Sequence, residues 1–257
     1  MTERGTIVCD LDGVVYVEGV GLPGSGEALS RFTKSGFRVL FATNNSSRTV
    51  REVAERIEGL SGYRASEDQV VGSAEAAARL LGEERPQTLV VGGAGIREAL
   101  TKHGIPQTDR HAEAEAVVMG LRMDLQYQEL KDATLAVRRG ARFIATNGDL
   151  TFPTPEGLVP GAGAMVAAVE AAAGIKAEVA GKPHAPMREA IKERLGSGPV
   201  WVVGDRPETD LAMARAEGWI PVLVLGGVTA RTEDVPRDLA PDIVVASLFE
   251  LAQSLGA

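Results

Sequence analysis

The stretch that decides the fold is Val8–Tyr16, "VCDLDGVVY". An apolar run through Ile7, Val8 and Cys9 stops at two carboxylates, Asp10 and Asp12, which are separated by one leucine and followed at once by Gly13. Short apolar runs that end in polar residues and a glycine are what buried parallel strands look like where they turn into helices. The same pattern recurs along the chain, so the question raised here is general: what gathers where the strands stop?

Working outward, apolar runs predict strands at 6–12, 37–43, 88–93, 116–120, 142–147, 200–205, 220–225 and 242–247. Amphipathic patterns between them predict helices near 24–35, 48–59, 73–82, 95–103, 127–139, 161–173, 185–195 and 208–217. This alternation implies an α/β fold built on parallel sheets. Gly36, Gly140, Gly174, Gly196 and Gly218 each follow an amphipathic stretch, where a left-handed residue ends a helix. Pro153, Pro155 and Pro160 interrupt "LTFPTPEGLVPGAG", which therefore reads as a rigid loop. "FATNNS" (41–46) and "FIATNGD" (143–149) echo each other, but only the first leads directly into a helical pattern, so two strands ending alike is the preferred reading over an internal repeat.

Composition narrows the functional classes. The 257 residues carry 35 acids against 27 Lys and Arg, a net charge of −8 with the signs interspersed. That balance disfavours nucleic acid or an anionic membrane as the main partner. One cysteine, Cys9, excludes an intrachain disulfide and fits a reducing compartment. Neither a secretory leader pattern nor an 18-residue apolar run is present, so a cytoplasmic protein is expected. The three histidines are scattered and unmatched by cysteines, which argues against zinc.

In an open parallel sheet, ligands bind beyond the carboxyl ends of the strands. The polar residues predicted there are Asp10 and Asp12, Thr43 and Asn44, and Asp205, with Lys182 in the turn "AGKPHAP" and Asp210 in "GDRPETD". Strand alternation would turn Asp10 and Asp12 to one side. Two like charges at ~4 Å repel by about 4 kcal/mol at an effective dielectric near 20, so a cation or a retained proton must compensate. A hard cation such as Mg2+ suits carboxylate and phosphate oxygens, with Asp10 and Asp205 as ligands. Lys182 adds a point charge for a phosphate, and a threonine hydroxyl with backbone amides suits its oxygens. A phosphate dianion with Asp10 and Asp205 is nearly balanced by Mg2+ and Lys182, so a phosphate ester can be held despite the acidic chain.

"DLDGVVY", "ATNNSS", "GKP" and "GDRPETD", in that order, resemble the four signature motifs of the haloacid dehalogenase-like superfamily. "TNN" and "ATNGDLTFPTPEGLVPGAGA" resemble its NagD-like branch, which includes 4-nitrophenyl and phosphoglycolate phosphatases. The resemblance spans nearly the whole chain. It implies a Rossmann-like core of residues 1–80 and 179–257, interrupted by a C2-type α/β cap at 81–178. It implies a magnesium-dependent phosphatase for small phosphate monoesters, with Asp10 as nucleophile and metal ligand. Asp12 is then the general acid and base and, through its carbonyl, a further metal ligand; Thr43 orients the phosphoryl group and Lys182 neutralises it. Asp205 is a metal ligand and Asp210 stands behind the metal or the lysine.

Substrate contacts are expected from Asn44, Asn45, Arg122 and Asp149, the last two in the cap segments 120–125 and 147–157. Arg122 stands where relatives often carry an acid and is a candidate for recognising a second anionic or hydroxyl-bearing group; an exposed arginine without function reads equally well. The expected partner is a small phosphorylated metabolite, and caps of this type leave a homodimer open. Competing readings are a phosphotransferase or phosphomutase of the same superfamily, a dehalogenase, which would need neither Asp12 nor the metal, and a non-catalytic small-molecule-binding regulator on the same fold.

Overall fold

The computed structural model describes residues 3–17, 19–154 and 156–257. In chain order its strands are β1 (Gly5–Cys9), β2 (Tyr16–Val17), β3 (Val20–Gly21), β4 (Phe37–Thr43), β5 (Val70–Gly72), β6 (Thr88–Val91), β7 (Gln107–Thr108) and β8 (Ala116–Met119). They continue as β9 (Arg142–Ala145), β10 (Thr151–Thr154), β11 (Gly157–Pro160), β12 (Glu178–Val179), β13 (Val200–Gly204), β14 (Ile220–Val224) and β15 (Ile243–Val245). The chain divides into two compact units. One runs to Thr43 and adds Arg51–Val71 and Arg188–Ala257; the other comprises Asn44–Val50 and Gly72–Met187.

In the first unit the sheet order is β15-β14-β13-β1-β4-β5, and β1 pairs in parallel with both β4 and β13. From β1 the chain builds outward in one direction through β4 and β5, then returns to the other side of β1 with β13. The order therefore reverses between β1 and β13, the position where open parallel sheets form their ligand crevice. β1 reads as a continuous apolar run because it is central: Ile7, Val8 and Cys9 are fully buried. Helix 25–34 covers the sheet with Ala28, Leu29 and Phe32, and the two large side chains, Leu29 and Phe32, each contribute roughly 1.5–3 kcal/mol by leaving water. Phe32, Phe37 and Trp201 continue that core in edge-to-face contacts, with the Arg4 guanidinium over the Phe37 ring.

In the second unit five parallel strands run in the order β12-β9-β8-β6-β7. Their core joins Val91, Val117, Met119 and Phe143 to Ala133, Ala136 and Val137 of helix 127–138 and Val166 and Val169 of helix 162–173. The sheet spans Thr88–Val179, and the compact unit extends beyond it to 44–50, 72–87 and 180–187. The fold is thus the expected α/β architecture, a Rossmann-like parallel-sheet core with an inserted α/β region.

Three local expectations need correction. The proline-containing segment 150–163 is not simply a loop: Thr151–Thr154 and Gly157–Pro160 pair as an antiparallel hairpin, with Pro155 outside the described residues. A two-stranded ribbon has two edges, so a proline can occupy a position whose N–H would face outward. Second, Gly36, Gly140, Gly174 and Gly218 adopt the expected positive φ, but Gly196 does not; the helix before it ends at Lys192, and the positive φ falls at Gly198. Third, the helix expected from 208 begins instead as a π-helical turn over Pro207–Leu211, continuing as α-helix over Ala212–Glu217.

Candidate active site

Asp10 follows β1 directly and its N–H donates to the Val203 carbonyl on neighbouring β13, at 2.8 Å. The β1–β13 register pairs Cys9 with Val203, so Asp10 and Asp205 emerge side by side at the reversal of strand order. The π-helical turn then brings a third acid to the same place. Carboxylate oxygens of Asp10, Asp205 and Asp210 all lie within 4.8 Å of one another. π-turns concentrate at functional sites because one extra residue per turn redirects the side chains that follow.

Gly13, Gly204 and Gly227 make room for this cluster. A Cβ on Gly13, whose φ is +84°, would stand 2.1 Å from Asp205 Oδ2, and one on Gly204 would stand 2.2 Å from Asp210 Cγ. The chain passes so close to the acids that no side chain fits. Asp205 is 3% exposed and its Oδ2 accepts from the Val228 N–H at 2.6 Å, while Asp210 is 1% exposed and its Oδ2 accepts from the Arg206 N–H and the Thr209 hydroxyl at 3.4 and 3.3 Å. Asp10 Oδ1 accepts from the Leu11 N–H at 2.8 Å.

Three carboxylates this close repel one another by roughly 3 kcal/mol or more per pair at an effective dielectric of about 20. A hard divalent cation offsets such a cluster, and the ligand atoms the three side chains present are all oxygens. The residues present therefore fit magnesium. Asp12 lies outside this three-acid cluster and is exposed. β1 ends at Cys9, and the chain turns through Leu11 to form an isolated bridge between Asp12 and Tyr16, so strand alternation no longer governs which way Asp12 points. Tyr16 is buried under the Arg56 guanidinium; burial, and then the negative charge of Asp12, push its phenol well above the ordinary tyrosine range.

Thr43, the last residue of β4, is buried. In the second unit, Lys182 is 3% exposed, and its main chain is held by Asn44: the Lys182 N–H donates to Asn44 Oδ1 at 2.8 Å and Asn44 Nδ2 donates to the Lys182 carbonyl at 3.3 Å. Asn44 Nδ2 also donates to Asp149 Oδ2 at 3.2 Å. Asn45 is exposed, its Oδ1 accepting from the N–H and hydroxyl of Ser47. Arg122 Nε lies 3.1 Å from Asp124 and 3.4 Å from Glu129, so two acids offset its charge.

Sequence alone puts Asp210 behind the metal or the lysine; its entry into the acid cluster depends on the π-turn, which no periodicity reveals. Asn147, absent from the expected site residues, is 5% exposed, and its Nδ2 donates to the Asn44 carbonyl at 2.7 Å. The signal was present in the echoed "ATN" segments, which meet here, Ser46 and Thr146 sharing a hydrogen bond between their hydroxyls at 2.8 Å.

Comparison with known proteins places the chain among phosphatases of one family. A family model described as haloacid dehalogenase-like hydrolase matches residues 7–106, and a second, HAD-hydrolase-like, matches 179–251. The chain is 38% identical over 237 residues to a D-glycerol 3-phosphate phosphatase of Mycobacterium tuberculosis, covering 91% of this chain and 66% of that relative, so it spans just under two thirds of that protein's length. It is 33% identical over 250 residues to an acid sugar phosphatase of Staphylococcus saprophyticus, covering 96% of each. The crystal structure of a Mycobacterium tuberculosis glycerol phosphate phosphatase in complex with magnesium superposes with a TM-score of 0.89 at 35% identity, covering 97% of this chain and 77% of that one.

Proposed function

This chain belongs to the haloacid dehalogenase-like hydrolase family, and we propose that it is a magnesium-dependent phosphatase of small phosphate monoesters that works through a phosphorylated Asp10. The observation that carries the reading is the cluster of Asp10, Asp205 and Asp210 at the reversal of strand order. Magnesium, held by the Asp10 and Asp205 carboxylates and the Asp12 carbonyl with Asp210 beside them, would supply positive charge to the transferring phosphoryl group.

The chain's own residues account for the bond changes. An Asp10 carboxylate oxygen bonds to phosphorus as the ester P–O bond breaks, and the leaving alkoxide takes the Asp12 proton. Asp12, now a carboxylate, accepts a proton from water. The hydroxide so formed attacks the phosphorus of the acyl phosphate, releasing inorganic phosphate and restoring Asp10. Thr43 and the amides around Asn44 orient the phosphoryl oxygens, and Lys182 offsets their charge. Residues 81–178 act as a cap that excludes water and meets the leaving group, with Asn45, Arg122 and Asp149 as candidate contacts to it.

The relatives named for glycerol phosphate and acid sugar phosphates support small polyol or sugar phosphates as the substrate class. A cytoplasmic location fits the single cysteine, and among the described residues no helix is long and apolar enough to cross a membrane. The test is phosphate release across a metabolite panel with magnesium, with chelator, and with Asp10→Asn. Activity on phosphate monoesters that is abolished by both chelator and substitution supports the reading; activity surviving both refutes it.

A further inference from the structure

We propose that Asn44 is a positioning residue whose side chain fixes the main chain of Lys182 and thereby sets the point from which the lysine reaches the phosphoryl group. The proposal rests on the phosphate-neutralising role of Lys182 given above. A single carboxamide takes both main-chain polar groups of one residue: Oδ1 receives the Lys182 N–H at 2.8 Å, and Nδ2 gives a hydrogen to the Lys182 carbonyl at 3.3 Å. Holding both groups restrains both backbone torsions of that residue, as a neighbouring strand would. The second Nδ2 hydrogen goes to Asp149 Oδ2 at 3.2 Å. Nδ2 and Oδ1 thus both make their contacts within the chain, which gives the side chain a duty in the protein itself.

The clamp is itself held. The Asn44 carbonyl accepts from Ser73 Oγ at 2.8 Å and from Asn147 Nδ2 at 2.7 Å, and Asn147 Oδ1 accepts from the Asp149 N–H at 3.1 Å. Ser73, Asn147 and Lys182 are all buried, so a lost partner here leaves a desolvated polar group uncompensated. Gly181 belongs to the same arrangement. A Cβ on it would lie 2.4 Å from Asn44 Oδ1 and 2.5 Å from the Thr146 carbonyl, so the glycine before the lysine is the space in which the amide sits. The two "ATN" segments have unlike duties: Asn44 holds the lysine, and Asn147 and Asp149 hold Asn44.

A long, flexible lysine loses little if its side chain alone is perturbed, but a displaced main chain moves the whole arc its ammonium can reach. Misplacement by about 1 Å costs on the order of a hundredfold in well-organised sites. The experiment is competitive inhibition by inorganic phosphate in the full-length enzyme, read for Asn44→Ala, Lys182→Ala and the double variant. Both single variants are expected to raise the inhibition constant at least ~tenfold, and the double variant to match Lys182→Ala within about twofold, because the clamp acts only through the lysine. Asn44→Asp, which keeps the acceptor but turns a carboxylate oxygen toward Asp149 and the Lys182 carbonyl, is expected to raise the constant at least as far as Asn44→Ala; a wild-type constant in it overturns the inference. Additive effects, or an unchanged constant in Asn44→Ala, overturn the inference while leaving the role of Lys182 intact. An unchanged constant in Lys182→Ala overturns that role and the inference with it. Should Asn44→Ala not fold, Asp149→Ala removes one partner of the same amide, and the same non-additivity with Lys182→Ala is required.

Discussion

Gly13 and Asp205, 192 positions apart in sequence, are so close that a methyl group on the first would stand 2.1 Å from the carboxylate of the second. The residue after the two acids of the first motif is glycine because the acid of the last motif fills the space a side chain would need. Motifs at opposite ends of the chain therefore constrain each other within one sheet.

Gly13→Ala tests that constraint. The substitution meets both a positive φ and a carboxylate, so it is expected to destabilise the fold by about 1–3 kcal/mol and to lower kcat/KM at least ~tenfold. Denaturant unfolding and steady-state kinetics measure the two effects. Wild-type values for both would mean that Asp205 is not held where the turn requires it.

Asp205→Asn and Asp210→Asn separate the acids of the cluster. Each removes one negative charge, so each is expected to weaken magnesium binding by about ten- to a hundredfold, measured calorimetrically and by the magnesium dependence of turnover. If Asp210→Asn leaves the affinity unchanged, Asp210 has no electrostatic share in holding the cation.

Arg122→Ala probes substrate choice. Because Asp124 and Glu129 already offset the guanidinium, its removal is expected to change relative kcat/KM across a panel of phosphate esters by only about two- to tenfold, without altering kcat for 4-nitrophenyl phosphate. Identical relative rates across the panel would remove Arg122 from the specificity set.

A pH-dependent contribution to stability is expected at Glu217. Hydrogen bonds from Lys192, and then from Arg188, hold its carboxyl below the ordinary glutamate range. A lowered folded-state value means the stabilisation is present above about pH 4.3 and disappears as pH falls through the folded value. The difference in Tm between wild type and Glu217→Gln should therefore shrink on acidification from pH 6 toward about pH 3. A difference that stays constant over that range would show that the ion pairs do not couple to folding.

Much of this architecture was legible because long, central strands announce themselves. β1 and β13 are uninterrupted apolar runs ending in acids, and the motifs at their ends could be placed before any coordinates. What escaped was short or depended on tertiary context. β5, β7 and β12 have two or three residues each, too few for any period to register. The helix Leu248–Ser254 was overlooked although Ser247 and Glu250 carry its start signal: the Ser247 hydroxyl oxygen accepts from the Glu250 N–H, and the Glu250 carboxylate accepts from the Ala246 N–H. The hairpin of β10 and β11 was masked by prolines that only an edge tolerates. Position alone points Asn44 toward the substrate, and sequence cannot show the hydrogen bonds its amide makes to Lys182 and Asp149.

The most direct test of the account is to find the phosphorylated residue. Enzyme quenched during turnover with excess phosphate ester and reduced with borohydride should, on peptide mass spectrometry, carry homoserine at position 10, and none should form in Asp10→Asn. Reduction at another carboxylate, or none at all in enzyme that is demonstrably turning over, would contradict the central role given to Asp10.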